Sequence, residues 1–148
     1  MANLRKSRPE TTGFAQASYL ALLEPDAPGD VTRVEREAIG LRVATLERSQ
    51  VVADFHTGRL LALGEDEAFI AAITDFPEGF TGPDRLAAIL RHVDLLSTTS
   101  RSGSEAAIAS LRAAGLDAKQ IVTISQLIAY LSYEIRMIAT LNALEGVA

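Results

Sequence analysis

The feature that most constrains the fold is the helical spacing of apolar side chains along most of the chain. Near the C-terminus these residues recur three or four positions apart, at Ile121, Ile124, Ile128, Leu131, Ile135 and Ile138. This spacing places them on one face of an α-helix. No stretch alternates apolar and polar residues as a half-buried β-strand does, and β-branched residues do not cluster. The sequence therefore predicts an all-α protein.

Turn-forming residues divide this helical pattern into about six or seven helices. The polar segment 1–12 precedes them, and we expect it to be flexible. The first helix is predicted over 14–23. The length favours one domain, and no repeat of fixed period appears. Residues 13–148 are therefore predicted to form a single helical bundle.

Several residues are typical of helix ends. Asp30 is placed to cap the second helix. Gly64 and Gly115 each follow an apolar helical stretch, where a glycine commonly ends a helix in the left-handed conformation. Asp117 and Gln120 have the spacing of a capping box, which would open the last helix.

Composition indicates which partners to expect. Hydrophobic residues make up 48% of the chain and aromatic residues only 5%, so the apolar surface comes mainly from aliphatic side chains. This suits helices in close contact, and it favours a homo-oligomer in which a second subunit covers part of that surface. The formal net charge is −5, which argues against a nucleic-acid partner because such a partner requires a basic surface.

The chain contains no cysteine. Disulfides, thiolate nucleophiles and cysteine-ligated metals are therefore excluded, and the composition fits a reducing cytoplasm. The N-terminus lacks the apolar core of a signal peptide. The longest apolar stretch, 121–144, is interrupted by Gln126, Glu134 and Arg136, so we expect a core or interface helix and no membrane partner.

One short motif combines a histidine with a distinctive spacing. Ser49, Val52 and His56 lie three and seven positions apart, which puts them on one stripe of a predicted helix. Ser49 stands near the N-terminus of that helix, where the unpaired backbone N–H groups lie. His56 is one of only two histidines in the chain.

The segment that contains this motif, REAIGLRVATLERSQVVADFH at 36–56, resembles the alkylhydroperoxidase D (AhpD) and carboxymuconolactone decarboxylase superfamily. Its members typically carry a helix of the form REAIxLRVxxLN followed by CxxCxxxH. Ser49 and Val52 fall on the two cysteine positions, and His56 falls on the family histidine. Glu37, twelve residues before Ser49, falls on the proton-relay glutamate of the family. The resemblance implies that Glu37 and His56 move protons.

The resemblance continues through the C-terminal half and covers most of residues 31–144. The segment AYLSYEIRMIA at 129–139 is similar to the AYFNFxNRxA stretch of the peroxidase-related members. The resemblance implies an AhpD-like helical bundle that assembles into a dimer, trimer or hexamer and uses no cofactor. It also implies that Tyr133 and Arg136 line a pocket, with Arg136 on the arginine position of the family.

The sequence departs from the family at both thiols. In the family the cysteine pair reduces peroxide or exchanges disulfides while the glutamate and histidine move protons. Neither Ser49 nor Val52 can do this chemistry. The pKa of a serine hydroxyl is far too high for it to act as a thiolate does, serine cannot form a disulfide, and valine has no nucleophilic group. We therefore predict no thiol-dependent peroxide turnover.

Two other sites are disfavoured by spacing. Ser49, His56 and Glu37 match the residue types of a hydrolase triad, but seven residues along one helix separate the serine and histidine by roughly 10 Å. A metal site is not expected either, because His56 and His92 are the only histidines and no short metal-binding spacing occurs. His92 has no supporting constellation and is interpreted as structural.

Two hypotheses for function remain open. In the first, an apolar pocket near Glu37 and His56 binds a small organic ligand or carries out proton transfer, as the decarboxylase branch does on a lactone acid. In the second, the chain is a non-catalytic, degenerate subunit that pairs with or regulates a cysteine-bearing relative. An open cleft with Glu37 and His56 converging would favour the first, and a closed space filled by residues would favour the second.

Overall fold

The computed structural model describes residues 9–27, 29–98 and 105–146, and within them the chain forms seven helices and no strand. The helices are α1 (Pro9–Leu22), α2 (Arg33–Leu46), α3 (Gln50–Ala62), α4 (Glu67–Thr74), α5 (Asp84–Thr98), α6 (Glu105–Ala113) and α7 (Ala118–Gly146). The predicted all-α fold is confirmed.

Helix α2 is the centre of the fold. Every residue from Glu35 to Ala44 is buried, because α3, α5 and α7 pack around it. Its side chains enter two apolar clusters, with Ile39 in the larger cluster beside α5 and α7 and Leu41 in the smaller one beside α3, α4 and α5. Charged residues on α2 are therefore buried as well, and each such group requires a partner.

Helix α7 supplies much of the larger cluster. Five members of the predicted apolar stripe are buried in it, namely Ile121, Ile124, Ile128, Leu131 and Ile135. The helix is long and apolar enough over Ala118–Leu144 to cross a membrane, judged by length and composition alone. In this fold the buried stripe of α7 packs against α2 and α5.

The predicted helix ends are largely confirmed. Gly64 and Gly115 have φ values of +96° and +85°, in the left-handed region where glycine is favoured. The backbone N–H of Gln120 donates to the carboxylate of Asp117 over 2.8 Å, and the N–H of Asp117 donates to the side-chain oxygen of Gln120 over 2.7 Å. This is the predicted capping box at the start of α7.

Two predicted helix starts are wrong. Helix α1 begins at Pro9 rather than at residue 14, because proline is preorganised for a first helical position. The segment 1–12 that was predicted to be flexible therefore overlaps the start of α1. Residues 1–8 of that segment lie outside the described part of the chain. Helix α2 is capped by Thr32 rather than Asp30. Thr32 forms a reciprocal pair with Glu35, which Asp30 is two residues too early to do.

A short turn joins α2 to α3. Residues 47–49 form it, and Arg48 takes a φ of +57°, which few residues other than glycine adopt. The N–H of Ser49 donates to the carbonyl of Ala44 over 2.9 Å, so the turn is closed by a backbone hydrogen bond. The chain reverses here and α3 packs back along α2.

Candidate functional site

The reversal brings Glu37 of α2 against His56 of α3. The Glu37 Oε2 and His56 Nδ1 atoms are 2.7 Å apart, a hydrogen-bond distance. Each residue is only 1% exposed. The two residues assigned to the proton relay are therefore in direct contact inside the protein.

Gly40 makes room for the imidazole ring. It lies one turn after Glu37 on α2, and a β-carbon built on it would come within 2.3–2.5 Å of three ring atoms of His56. The ring also meets the edge of the Phe55 ring, with centroids 5.2 Å apart. The histidine is thus held between the backbone of α2 and an aromatic neighbour on its own helix.

Arg59 completes the surroundings of the buried carboxylate. Its Nε donates to Oε1 of Glu37 over 2.6 Å, so both carboxylate oxygens have partners. The Nη1 of Arg59 donates to the carboxylate of Glu24, in the segment after α1. The hydroxyl of Tyr19 also donates to the Glu24 carboxylate, over 2.9 Å. A continuous hydrogen-bonded chain therefore links α1 to the buried pair.

The charged groups of this hydrogen-bonded network are stabilised by their neighbours. Hydrogen bonds from Tyr19 and Arg59 lower the pKa of Glu24, which keeps it ionised. Burial, together with the hydrogen bond to Glu24, raises the pKa of Tyr19 to about 12, so its hydroxyl stays protonated at neutral pH. Burial alone would lower the pKa of Arg59, but its bonds to Glu37 and Glu24 raise it overall.

The network assigns distinct roles to the two ring nitrogens of His56. Glu37 already accepts from the Arg59 cation, so it acts as a hydrogen-bond acceptor for Nδ1–H. In the neutral ring, Nε2 then carries the lone pair. Among the hydrogen bonds of the described residues, none involves Nε2. This nitrogen is therefore the one that can accept a proton.

Ser49 and Val52, which the resemblance places on the cysteine positions of the family, form no described hydrogen bond with the Glu37–His56 pair. Ser49 is the half-buried N-cap residue of α3, and its side chain makes no capping hydrogen bond. Val52 is half-buried and packs against the larger apolar cluster. Val52 therefore lies between α3 and the core.

Tyr133 and Arg136 are not joined to this pair. Both are exposed on α7, and neither forms a hydrogen bond or ion pair with Glu37 or His56 in the described part of the chain. The nearest charged partner of Arg136 is Glu47, at 4.0 Å, which places it beside the α2–α3 turn. A binding role for these two residues stays a prediction.

Sequence reasoning missed Glu24 and Arg59. Arg59 lies three positions after His56, on the same helix face, and this spacing could have revealed it. Glu24 lies 35 positions before Arg59 in a turn-rich segment, where no periodicity indicates a partner. His92 belongs elsewhere, since its Nε2 bonds to Ser125 on α7 over 3.1 Å. Over the described residues, no group of three or more histidine or acidic side chains could hold a metal ion.

Comparison with known proteins identifies the fold. No family model matches the sequence, and a search of curated proteins finds no match. Among solved structures, a peroxidase-related protein from Ralstonia eutropha with an AhpD core superposes with a TM-score of 0.82 at 21% identity, over 93% of this chain and 71% of that one. A protein of unknown function from Agrobacterium tumefaciens, provisionally assigned as the antioxidant defence protein AhpD, gives 0.80 at 20% identity, over 93% of this chain and 92% of its own.

A third structure agrees with these two. It is an uncharacterised peroxidase-related protein from Silicibacter, with a TM-score of 0.81 at 17% identity over 90% of this chain and 69% of that one. The chain therefore has the AhpD-like helical fold. The fold implied by the resemblance of residues 36–56 and 129–139 is thus confirmed over 93% of the chain.

Proposed function

We propose that this chain is a thiol-independent protein of the AhpD fold that binds a small organic molecule and transfers a proton through Nε2 of His56. One observation carries the proposal. Glu37 holds Nδ1 of His56, and Arg59 holds the other oxygen of Glu37. This arrangement leaves Nε2 as the basic atom and fixes the orientation of the ring.

The chemistry follows from this arrangement. Nε2 takes a proton from a carbon acid in the bound molecule, and the ring becomes an imidazolium. The negative charge of Glu37, 2.7 Å from Nδ1, stabilises that cation, and the substrate carbanion is left to rearrange or be reprotonated. The donor in the reverse step is the same Nε2–H. By resemblance to the decarboxylase branch, a lactone carboxylic acid is a suitable substrate class.

A second candidate is favoured by a different observation. Glu37 and His56 are each 1% exposed, so a substrate reaches Nε2 only if side chains move. A closed pair of this kind fits a degenerate subunit in which the network serves as a buried, satisfied structural element. Such a subunit would pair with or regulate a cysteine-bearing relative.

The proposal is tested by hydrogen exchange in heavy water. A panel of small lactone carboxylic acids is incubated with the protein in ²H₂O, and loss of the proton next to the carbonyl is followed by ¹H NMR. We expect exchange above the uncatalysed rate, and a decrease of about 100-fold or more in His56→Ala and Glu37→Gln, since a positioned base contributes a factor of this order. Asp54→Asn is the matched control, because Asp54 is exposed on α3 and, among the described residues, its side chain bonds only to Gln50.

The outcomes separate the two candidates. Exchange that is unchanged in both variants, or absent with every acid, contradicts proton transfer at His56. Stable association with a cysteine-bearing AhpD-fold protein encoded in the same genome, measured by light scattering of the mixture, would then support the subunit role. In a parallel assay with a dithiol reductant, we expect no reduction of an alkyl hydroperoxide above the uncatalysed rate. Activity that is lost in His56→Ala would contradict the prediction that this chain does not turn over peroxides.

A further inference from the structure

Glu24 lies outside the motif that contains His56, but it shares one cation with the buried pair. The guanidinium of Arg59 donates from Nε to Glu37 over 2.6 Å and from Nη1 to Glu24 over 2.5 Å. The side chain of Glu37 is 1% exposed, whereas those of Arg59 and Glu24 are 32% and 38% exposed. One positive charge therefore stands between two carboxylates, one buried and one at the surface.

The charges of this network determine how well it accepts a proton. Tyr19, which donates to Glu24, is uncharged at neutral pH, so two carboxylates and one guanidinium give a net charge of −1 while the ring of His56 is neutral. Protonation of the ring then brings the network to neutrality. If Glu24 were uncharged, Arg59 alone would balance Glu37, and the protonated ring would be a buried charge without compensation. Such a charge is costly in the interior of a protein.

Glu24 is held in its ionised state by its neighbours. Hydrogen bonds from Tyr19 and Arg59 lower its pKa, and the charge of Arg33, at the start of α2, acts in the same direction. Arg33 is exposed and forms no described hydrogen bond with Glu24, so water and salt screen its charge. Arg59 is two-thirds buried and in direct contact with Glu24. The charge that balances Arg59 on its solvent side is therefore that of Glu24.

We propose that Glu24 is a positioning residue that sets how readily His56 accepts a proton. It acts from the surface by balancing the charge of Arg59, so that the charge of Glu37 stabilises the imidazolium. Glu24 also lies outside residues 31–144, which the family resemblance covers. Its role in the reaction rests on the proposed function, whereas the charge balance itself is measurable without a substrate.

The readout is the pH titration of the His56 ring, followed by its ¹⁵N chemical shifts. Glu24→Gln removes a charge and keeps the shape of the side chain. We expect the midpoint of the titration to fall by about half a pH unit to one unit, less than the shift of about 1–3 units that a charge in direct contact produces. Asp26→Asn is the matched control and should not move the midpoint, since Asp26 is exposed in the same segment and forms no described hydrogen bond or ion pair.

Arg59→Gln distinguishes charge from packing. Loss of the guanidinium leaves two carboxylates near the ring, so the midpoint should rise, in the direction opposite to that of Glu24→Gln. The double variant Glu24→Gln/Arg59→Gln has the net charge of the unmodified network again, and its midpoint should return toward the original value. A role in packing alone does not produce opposite shifts that cancel, because each substitution loosens the same contacts.

Several results would overturn this role for Glu24. They are an unchanged midpoint in Glu24→Gln, an equal shift in Asp26→Asn, and shifts of the same sign in Glu24→Gln and Arg59→Gln. Thermal unfolding of each variant verifies that it is folded. Glu24→Asp and Arg59→Lys keep the charges and should keep the midpoint, so they test the same balance if Arg59→Gln does not fold. Absence of proton exchange with every acid would not alter these midpoints, so failure of the proposed function and failure of this role are distinguishable.

Discussion

At Gly40 the absence of a side chain lets the imidazole ring of His56 lie directly on the backbone of α2. The ring fills the space of a β-carbon, and this close approach is what brings Nδ1 within 2.7 Å of Glu37. The position of the buried imidazole therefore depends on a residue that has no side chain.

Replacing Gly40 with alanine should destabilise the protein and disturb the pair. The new methyl group would overlap ring atoms at 2.3–2.5 Å, so the ring or the helix must shift. We expect a loss of about 1–3 kcal/mol in the free energy of unfolding, the usual cost of overpacking. The urea midpoint measures the loss, and the ¹⁵N shifts of the His56 ring report the displacement.

Gly58→Ala is the matched control on α3. Nothing lies within 4 Å of a β-carbon at Gly58, so alanine should raise the free energy of unfolding by about 0.5–1 kcal/mol through its better helix propensity. If the two alanine variants had the same effect on stability, the close approach at Gly40 would have no energetic meaning.

The sequence predicted the residues of the pair better than their surroundings. His56 was singled out by its spacing from Ser49 and Val52, and Glu37 because it falls on the glutamate position of the family that residues 36–56 resemble. The Glu24–Arg59 contact spans 35 positions and depends on how the segment after α1 turns, which no local pattern encodes. Contacts between residues that are far apart in the sequence, such as Glu24 and Arg59, could therefore not be predicted from local patterns.

At the scale of the helices, the hydrogen bonds of the N-cap residues explain where α2 begins. Helices α2 and α3 have N-cap residues of the same chemical type, but only Thr32 uses its hydroxyl, accepting from the N–H of Glu35 over 3.1 Å. Ser49 makes no such bond. Asp30 was expected to cap α2 on residue type alone, and the reciprocal Thr32–Glu35 pair prevailed because it satisfies two backbone groups instead of one.

This difference between the two N-caps predicts that replacing each residue with alanine lowers the free energy of unfolding by different amounts. Thr32→Ala should cost about 1 kcal/mol in the free energy of unfolding, because it breaks the capping box. Ser49→Ala should cost no more than a few tenths, since no side-chain bond is lost. Urea unfolding at fixed pH compares them, and an equal or larger cost for Ser49→Ala would show that its hydroxyl is in use.

At the scale of the whole molecule, the seven helices of the described chain leave large apolar side chains uncovered on three of them. They are Phe14 and Leu20 on α1, Val51, Phe55 and Leu61 on α3, and Val122, Tyr133, Met137 and Leu144 on α7. The all-α fold followed from apolar periodicity, because burying a stripe in the core requires that period. Apolar periodicity does not show which of the exposed residues contact a second subunit.

We therefore expect a homo-oligomer in solution. Light scattering should give at least twice the chain mass of 15.8 kDa, because association removes these side chains from water. The mass should hold on dilution to the micromolar range. A single species near 15.8 kDa at high concentration would contradict the expectation.

The turn of residues 47–49 has a consequence for chains related to this one. The turn requires a positive φ at Arg48 and is closed by the hydrogen bond from the N–H of Ser49 to the carbonyl of Ala44, so inserting or deleting a residue there changes the geometry that packs α3 against α2. A substitution at Ser49 or Val52 leaves the number of residues in this turn unchanged, whereas an insertion or deletion does not. We therefore expect related chains that keep the Glu37–His56 contact to keep the length of this turn as well.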